Sequence, residues 1–195
     1  MIRAKYSHKN IVVDILSSAY QENCGLYLCV KRDKKMAYRL TKLMEYIFEI
    51  CYLFGDIILS DDQQACACLL YPEKKKITSK AIWLTIKLVF QSTGLRKLIL
   101  VCRGELTRRK IRPQKYYLYG WVMGVKPLQQ GRGIGGAFLE EIINYSFANK
   151  RPFYFETIIP GIVDWYQKLG FELYHHEKMA CEVFFLRKEL PNNGS

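Results

Sequence analysis

Six consecutive residues, Gly131-Arg132-Gly133-Ile134-Gly135-Gly136, have the types and spacing that point most directly to chemistry. Glycines let a backbone turn with no Cβ in the way, so successive N–H groups can converge on one anion. A helix beginning at the same place would add the positive end of its dipole. Arg132 supplies a full charge beside them. The chemistry is that of a phosphate cradle. A Walker A loop is excluded, because no Gly-Lys-Ser/Thr closes the run. A dinucleotide-binding turn fits formally at Gly131, Gly133 and Gly136, with Glu156 as the acid 20 residues further on. Such a turn opens an N-terminal βαβ unit, however, and here it falls late in the chain. A turn with a purely structural role is the third alternative.

Other reactive side chains read more plainly. The seven cysteines (Cys24, Cys29, Cys51, Cys66, Cys68, Cys102 and Cys181) are odd in number and contain no Cys-x-x-Cys pair. Most lie in apolar runs, and Cys66 and Cys68, two apart, share one face of a strand. They read as small core hydrophobes in a reducing cytosol, and a cytoplasmic location is expected. His175 and His176 are adjacent, so on a strand they point to opposite faces and form no metal site by themselves. No metal is expected.

The elements that must position the glycine-rich run follow from periodicity. The chain has 195 residues, a length suited to one domain. Residues 10–20 place apolar groups on one helical face, with Asn10 as the expected N-cap. Residues 35–53 repeat Met36, Leu40, Leu43, Met44, Ile47, Ile50 and Cys51 at three- and four-residue steps, a second helix stopped by Gly55. Runs at 56–60 and 64–71 around Ser60-Asp61-Asp62 predict a hairpin with an acidic turn, closed by Pro72. Residues 78–92 predict a helix, which 94–103 extends or follows with another. Arg103 to Lys115 holds six basic residues, one acid and a proline, and reads as a mobile loop. The aromatic and β-branched run 116–125 predicts a central strand. Beyond the glycines come a helix at 135–149, a strand at 152–158, a short helix at 161–168 ending at Gly170, and strands at 171–175 and 180–187. The formal net charge is +12, a surface that attracts anions without choosing among them. No run is long and apolar enough for a membrane span, and no signal peptide is seen.

The glycine-rich run also fits Gln-x-x-Gly-x-Gly, through Gln130, Gly133 and Gly135. Val125-x-Pro127 precedes it, and Tyr166-Gln167-Lys168-Leu169-Gly170-Phe171 follows after a helix and a strand. In these motifs the chain resembles the GNAT superfamily of N-acetyltransferases. The likeness covers about residues 116–187, and the hairpin ending in Leu69-Leu70-Tyr71-Pro72 looks like the family's second and third strands. It implies an α/β (α+β) fold in one GNAT-type domain over 1–195. The sheet would be mixed and mostly antiparallel, flanked by helices, with splayed central strands and a loose tail at 190–195.

The resemblance also implies roles. Acetyl-CoA would be the co-substrate, its pyrophosphate held by the backbone of Gln130, Gly131, Arg132, Gly133, Ile134 and Gly135, with Gly136 extending the helix start. Met123, Gly124 and Val125 would pair with the pantetheine arm as a further strand would. Tyr166 takes the position of the family's general acid. A phenol, with pKa about 10, is protonated at neutral pH and can protonate the leaving thiolate. Many relatives carry an asparagine where this chain has Ile162. No general base is evident; Glu156, Asp56 and a water relay stay open. The implied activity is acetyl transfer to a primary amine by direct attack. The alternative is a weakly catalytic sensor or interaction module that binds CoA or acyl-CoA on the same fold. The acceptor would be a small-molecule or peptide amine, selected by residues 20–35 and 103–115. Neither a membrane nor nucleic acid is the expected partner, although the basic runs at 31–42, 74–80 and 103–115 could meet nucleic acid; a homodimer stays open.

Overall fold

The computed structural model describes residues 1–21, 33–113 and 116–191, without the side chains of Leu95 and Arg96. Among the described residues seven strands form one sheet: β1 (Ile2–Arg3), β2 (Gly55–Leu59), β3 (Ala65–Leu70), β4 (Leu118–Val125), β5 (Phe153–Thr157), β6 (Glu172–Lys178) and β7 (Glu182–Lys188). Their spatial order is β1-β2-β3-β4-β5-β7-β6. Every neighbouring pair is antiparallel except β4 and β5, which run parallel. The helices are α1 (Lys9–Ala19), α2 (Met36–Phe54), α3 (Ser79–Leu88), α4 (Leu95–Ile111), α5 (Ile134–Ala148) and α6 (Val163–Lys168). The mixed, mostly antiparallel sheet flanked by helices is the expected one.

Two apolar layers enclose this sheet. On one face α1 and α2 bury Val12, Leu16, Leu43, Met44, Ile47 and Phe48 against Cys66, Cys68, Tyr119 and Val122. On the other, α5 buries Phe138, Leu139, Ile142 and Ile143 against Leu69, Leu118, Phe153 and Phe155. The alternation along β3 is the cause: Ala65, Ala67 and Leu69 join one layer, Cys66, Cys68 and Leu70 the other. Cys66 and Cys68 are therefore core residues, as expected; Cys51 is buried with them, while Cys102 is exposed. Cys24 and Cys29 lie outside the described residues.

The splay of the central strands is visible in the register. Leu118, Tyr119 and Gly120 pair with Phe153, Tyr154 and Phe155, and there the β4–β5 pairing stops. Beyond it β4 continues to Val125 against β3 alone. The register between β3 and β4 shifts at this point, Gly120 facing Leu69 and Val122 facing Cys68, which leaves Trp121 as the extra residue of a bulge. A bulge adds twist to its strand, so β4 turns away from β5 and a gap opens below Trp121.

Two expectations change, and one alternative left open is settled. Helix α1 begins at Lys9 with His8 at the N-cap, so Asn10 sits in the first turn and caps nothing. The segment from Arg103, read as a mobile loop, is helical as far as Ile111. Local charge was the misleading signal. Glu105 pairs with Arg109 and Arg112, and Arg108 and Arg112 reach across to Glu156, so the cations are anchored rather than mutually repelling. Pro113 follows the helix end, and residues 114 and 115 lie outside the described residues. Finally, α3 and α4 stay separate helices, joined by a π turn at Val89–Thr93 and Gly94 at φ +73°. Together they form a long helical insert between two strands that pair as antiparallel neighbours. The proposed acceptor segment 20–35 and the tail 190–195 fall largely outside the described residues.

Candidate functional site

The C-terminal end of β4 and the turn after it assemble the site. Lys126 donates its N–H to the Gln64 carbonyl (2.9 Å), which turns residues 124 and 126 toward β3. By alternation the backbone groups of Met123 and Val125 face the gap beside β5. Gly124 pairs with Cys66, so its backbone belongs to the ladder. Its missing side chain serves packing: a Cβ there would lie 3.0 Å from the Ala19 Cβ and 3.2 Å from the Leu16 Cδ2. Glycine thus lets α1 cross closely over β4. The residue ending that crossing is Tyr20, whose hydroxyl donates to the Met123 carbonyl at 2.8 Å. On the same strand edge the Gln130 side-chain amide donates to the Val125 carbonyl at 2.9 Å.

After a short 3₁₀ turn at Pro127–Gln129, Gly131 and Gly133 adopt φ of +75° and +80°. These left-handed conformations are open to glycine at little cost. Gly133 is the N-cap of α5, without a side-chain cap, and the first helical bond runs from the Ala137 N–H to the Gly133 carbonyl (3.1 Å). Among the described residues, no backbone N–H from Gly131 to Gly136 has a hydrogen-bond partner. A Cβ at Gly131 or Gly133 would meet nothing within 4 Å. The turn is therefore an open row of donors at the positive end of a fifteen-residue helix. Arg132 is exposed beside it, and Ile134 is half-buried against the α5 layer. Gly135 faces the Val125 side chain and Gly136 the Trp165 ring, with room for a Cβ at 3.6 and 3.5 Å.

Tyr166 enters from α6 on the α5 face. Its ring packs edge-on against Phe155 (4.6 Å between centroids) and Phe171 (5.9 Å), and beside Trp165 (4.9 Å). Burial pushes its phenol up to about 12. Burial also raises the Tyr20 phenol, and the neighbouring Tyr166 adds to that rise. The two tyrosines thus approach the gap from opposite faces of the sheet. Ile162, four residues before Tyr166, is the half-buried N-cap of α6 and makes no capping bond.

Neither carboxylate considered as a base is free. Glu156 accepts from Arg108 Nε (2.6 Å) and from Arg112 Nε (2.8 Å) and Nη2 (2.6 Å). Asp56 accepts from the hydroxyls of Tyr71 (2.6 Å) and Tyr145 (2.8 Å) and is paired with Arg3. His175 binds Glu177 at 3.1 Å, and His176 stacks on Phe184. Among the described residues no group of three His, Cys, Asp or Glu side chains could hold a metal ion.

A cleft of about 660 Å³ lies between α2, the helical insert and the sheet. Tyr46, Ile50, Tyr117, Tyr119 and the bulge residue Trp121 line it. Tyr20, Trp165 and this cleft are the features sequence reading missed. Tyr20 and Trp165 stand in no motif, and the cleft depends on the insert folding back over the sheet.

No family sequence model matches the chain, and no curated protein matches it by sequence. Solved structures do match it in fold. One is the histone acetyltransferase HPA2 and related acetyltransferase of Corynebacterium glutamicum, at 16% identity and TM-score 0.71, covering 100% of this chain and 97% of that one. Another is arylalkylamine N-acetyltransferase 2 of Aedes aegypti, at 11% identity and TM-score 0.65, covering 97% and 98%. A third, assigned to the GNAT family, comes from Desulfovibrio desulfuricans, at 13% identity and TM-score 0.54, covering 97% and 98%.

Proposed function

We propose that this chain, whose fold is that of the GNAT acetyltransferases, transfers the acetyl group of acetyl-CoA to a primary amine by direct attack. The observation that carries the reading is the row of unpartnered N–H groups from Gly131 to Gly136 beside the gap between β4 and β5. Those donors, with Gln130 and Arg132 nearby, suit a pyrophosphate. The strand edge at Met123 and Val125 suits the two amides of a pantetheine arm, which would lie in the gap as an added strand. The cleft bordered by Trp121 gives the acceptor room on the opposite face of the sheet.

In the proposed step the amine nitrogen attacks the thioester carbonyl, a C–N bond forms and the C–S bond breaks. The departing CoA thiolate takes the Tyr166 phenolic proton. The new amide loses its surplus proton through water, and Tyr166 regains one from solvent. A phenol pushed up to about 12 stays protonated throughout the neutral range, so the proton is present, although burial makes it a weaker acid than an ordinary phenol. Because Glu156 and Asp56 are engaged, the amine must arrive neutral, a fraction of about one in two thousand for a lysine-like amine at pH 7.

That engagement favours a second reading, a CoA-binding module with little turnover. Two measurements separate the readings. Acetyl-CoA raises the melting temperature under both. Thiol release with a panel of amines, followed alongside, occurs only under the first. Absence of any thermal shift would remove both.

A further inference from the structure

The helical insert from Pro72 to Pro113 carries twelve of the 30 Lys and Arg residues but only two of the 18 Asp and Glu. It therefore holds +10 of the net charge of +12. None of the proposed cofactor contacts belongs to it. Its outer surface is apolar as well. Along α3 and the π turn, Ile82, Ile86 and Phe90 follow at four-residue steps with Trp83 beside them, so they share one helical face. Phe90 is 82% exposed, Trp83 58%, and Ile82 and Ile86 each 50%. Ile99, Leu100 and Leu106 of α4 are also exposed. Lysines surround the stripe. Lys87 Nζ lies 5.1 Å over the Trp83 ring, and among the described residues Lys75, Lys76 and Lys87 form no ion pair.

We infer that this insert docks on an anionic phospholipid bilayer, lying in its interface. Exposed contiguous apolar surface marks a contact site, and the charge around it selects the partner. A second copy of the chain would bring two lysine-rich faces of like charge together across a two-fold contact. Nucleic acid would use the cations and leave a stripe of isoleucines in water. A bilayer with anionic headgroups uses both: Lys and Arg meet the headgroups while Trp, Phe and Ile enter the acyl boundary. This is a surface contact; no helix among the described residues is long and apolar enough to cross a membrane. The cleft beside Trp121 has Ile82 and Ile86 in its wall, so its mouth borders the docking face.

The test is co-sedimentation of the full chain with phosphatidylcholine vesicles, with and without phosphatidylglycerol, at low and high salt. Binding is expected only with phosphatidylglycerol and is expected to fall as salt rises. Trp83→Ser with Phe90→Ser should lower it about tenfold or more, because two apolar anchors are removed from the boundary. Lys75→Gln with Lys76→Gln should lower it about fivefold per lysine. All four positions are exposed, and an unchanged melting temperature shows that the variants fold. No vesicle binding at low salt would overturn the proposal. So would binding that the apolar pair does not affect, or retention of an oligonucleotide in place of vesicles. Self-association blocked by the same substitutions, without vesicle binding, would assign the face to a second copy instead.

Discussion

The Tyr20 hydroxyl donates to the Met123 carbonyl across 103 residues of sequence, tying the end of α1 to the open edge of β4. The edge it touches is the one left without a partner where β5 turns away. α1 is therefore more than a cover for the sheet: its last turn borders the place where a pantetheine arm would lie. A carbonyl has two lone pairs, so the bond to Tyr20 leaves one acceptor position at Met123 open.

Replacing Tyr20 with phenylalanine removes that bond and nothing else of the ring. Stability should fall by about 1 kcal/mol, the net worth of one such bond. Acetyl-CoA affinity should hold or rise, by up to about fivefold, since the Met123 carbonyl is then fully free. Calorimetric titration of both proteins reads this directly. A clear loss of affinity would make Tyr20 itself a cofactor contact.

Gly133 and Gly135 separate backbone strain from occupancy of the cradle. Gly133 is left-handed, so Gly133→Val should cost about 1–2 kcal/mol of stability. Gly135 is helical, and a Cβ there has ordinary room against Val125, so Gly135→Val should change stability by less than about 0.5 kcal/mol. Both should abolish most of the thermal shift given by acetyl-CoA, because each places carbon where the anion would sit. A full shift in both variants would put the cofactor elsewhere.

These contrasts show what could be read from the chain alone. The positions of the glycine turn, the helix after it and the hairpin before it were legible because short-range patterns set them: apolar spacing, Gly133 at a helix start, Asp62 accepting from the Gln64 N–H in the acidic turn. The course of residues 103–111 was not legible, because the partner that makes their cations favourable, Glu156, lies 44 residues beyond Arg112. Tyr20 was hidden for the same reason. Sequence spacing carries no record of which distant carbonyl a tyrosine will meet.

Glu156 provides a test of that long-range anchoring. Its side chain is only 9% exposed, and removing its charge takes the ion-pair partner from Arg108 and leaves Arg112 with Glu105. Breaking such a pair from one side costs about 3 kcal/mol, the low end of the usual range because Arg108 is partly solvated. Glu156→Gln should therefore lower Tm by about 6–12 °C. If Glu156 only positions α4, the pH dependence of turnover keeps its shape in the variant. Loss of the rise with pH would return Glu156 to the role of base.

Tyr166→Phe addresses the proposed chemistry. The ring stays in its cage of Phe155 and Phe171, so only the hydroxyl is lost. If that hydroxyl protonates the thiolate, kcat should fall about a hundredfold, at the lower end for acid assistance because a thiolate leaves fairly readily. Acetyl-CoA affinity should change little. The pH profile sharpens the test. The neutral fraction of the amine grows with pH, so kcat/KM of the parent should rise from neutrality toward pH 10. The Tyr166 phenol, pushed up to about 12 by burial, remains protonated across that window and imposes no falling limb. The variant should show the same rise at a lower level. Stability supplies an independent sign. The folded-state value lies above the ordinary phenol value of about 10, so the protonated Tyr166 contributes fully below pH 10 and its contribution is lost as pH rises toward 12. In alkaline melting curves the parent should therefore lose stability relative to the variant between pH 10 and 12. Unchanged kcat together with that relative loss would leave Tyr166 as a buried packing residue and end its assignment as the acid.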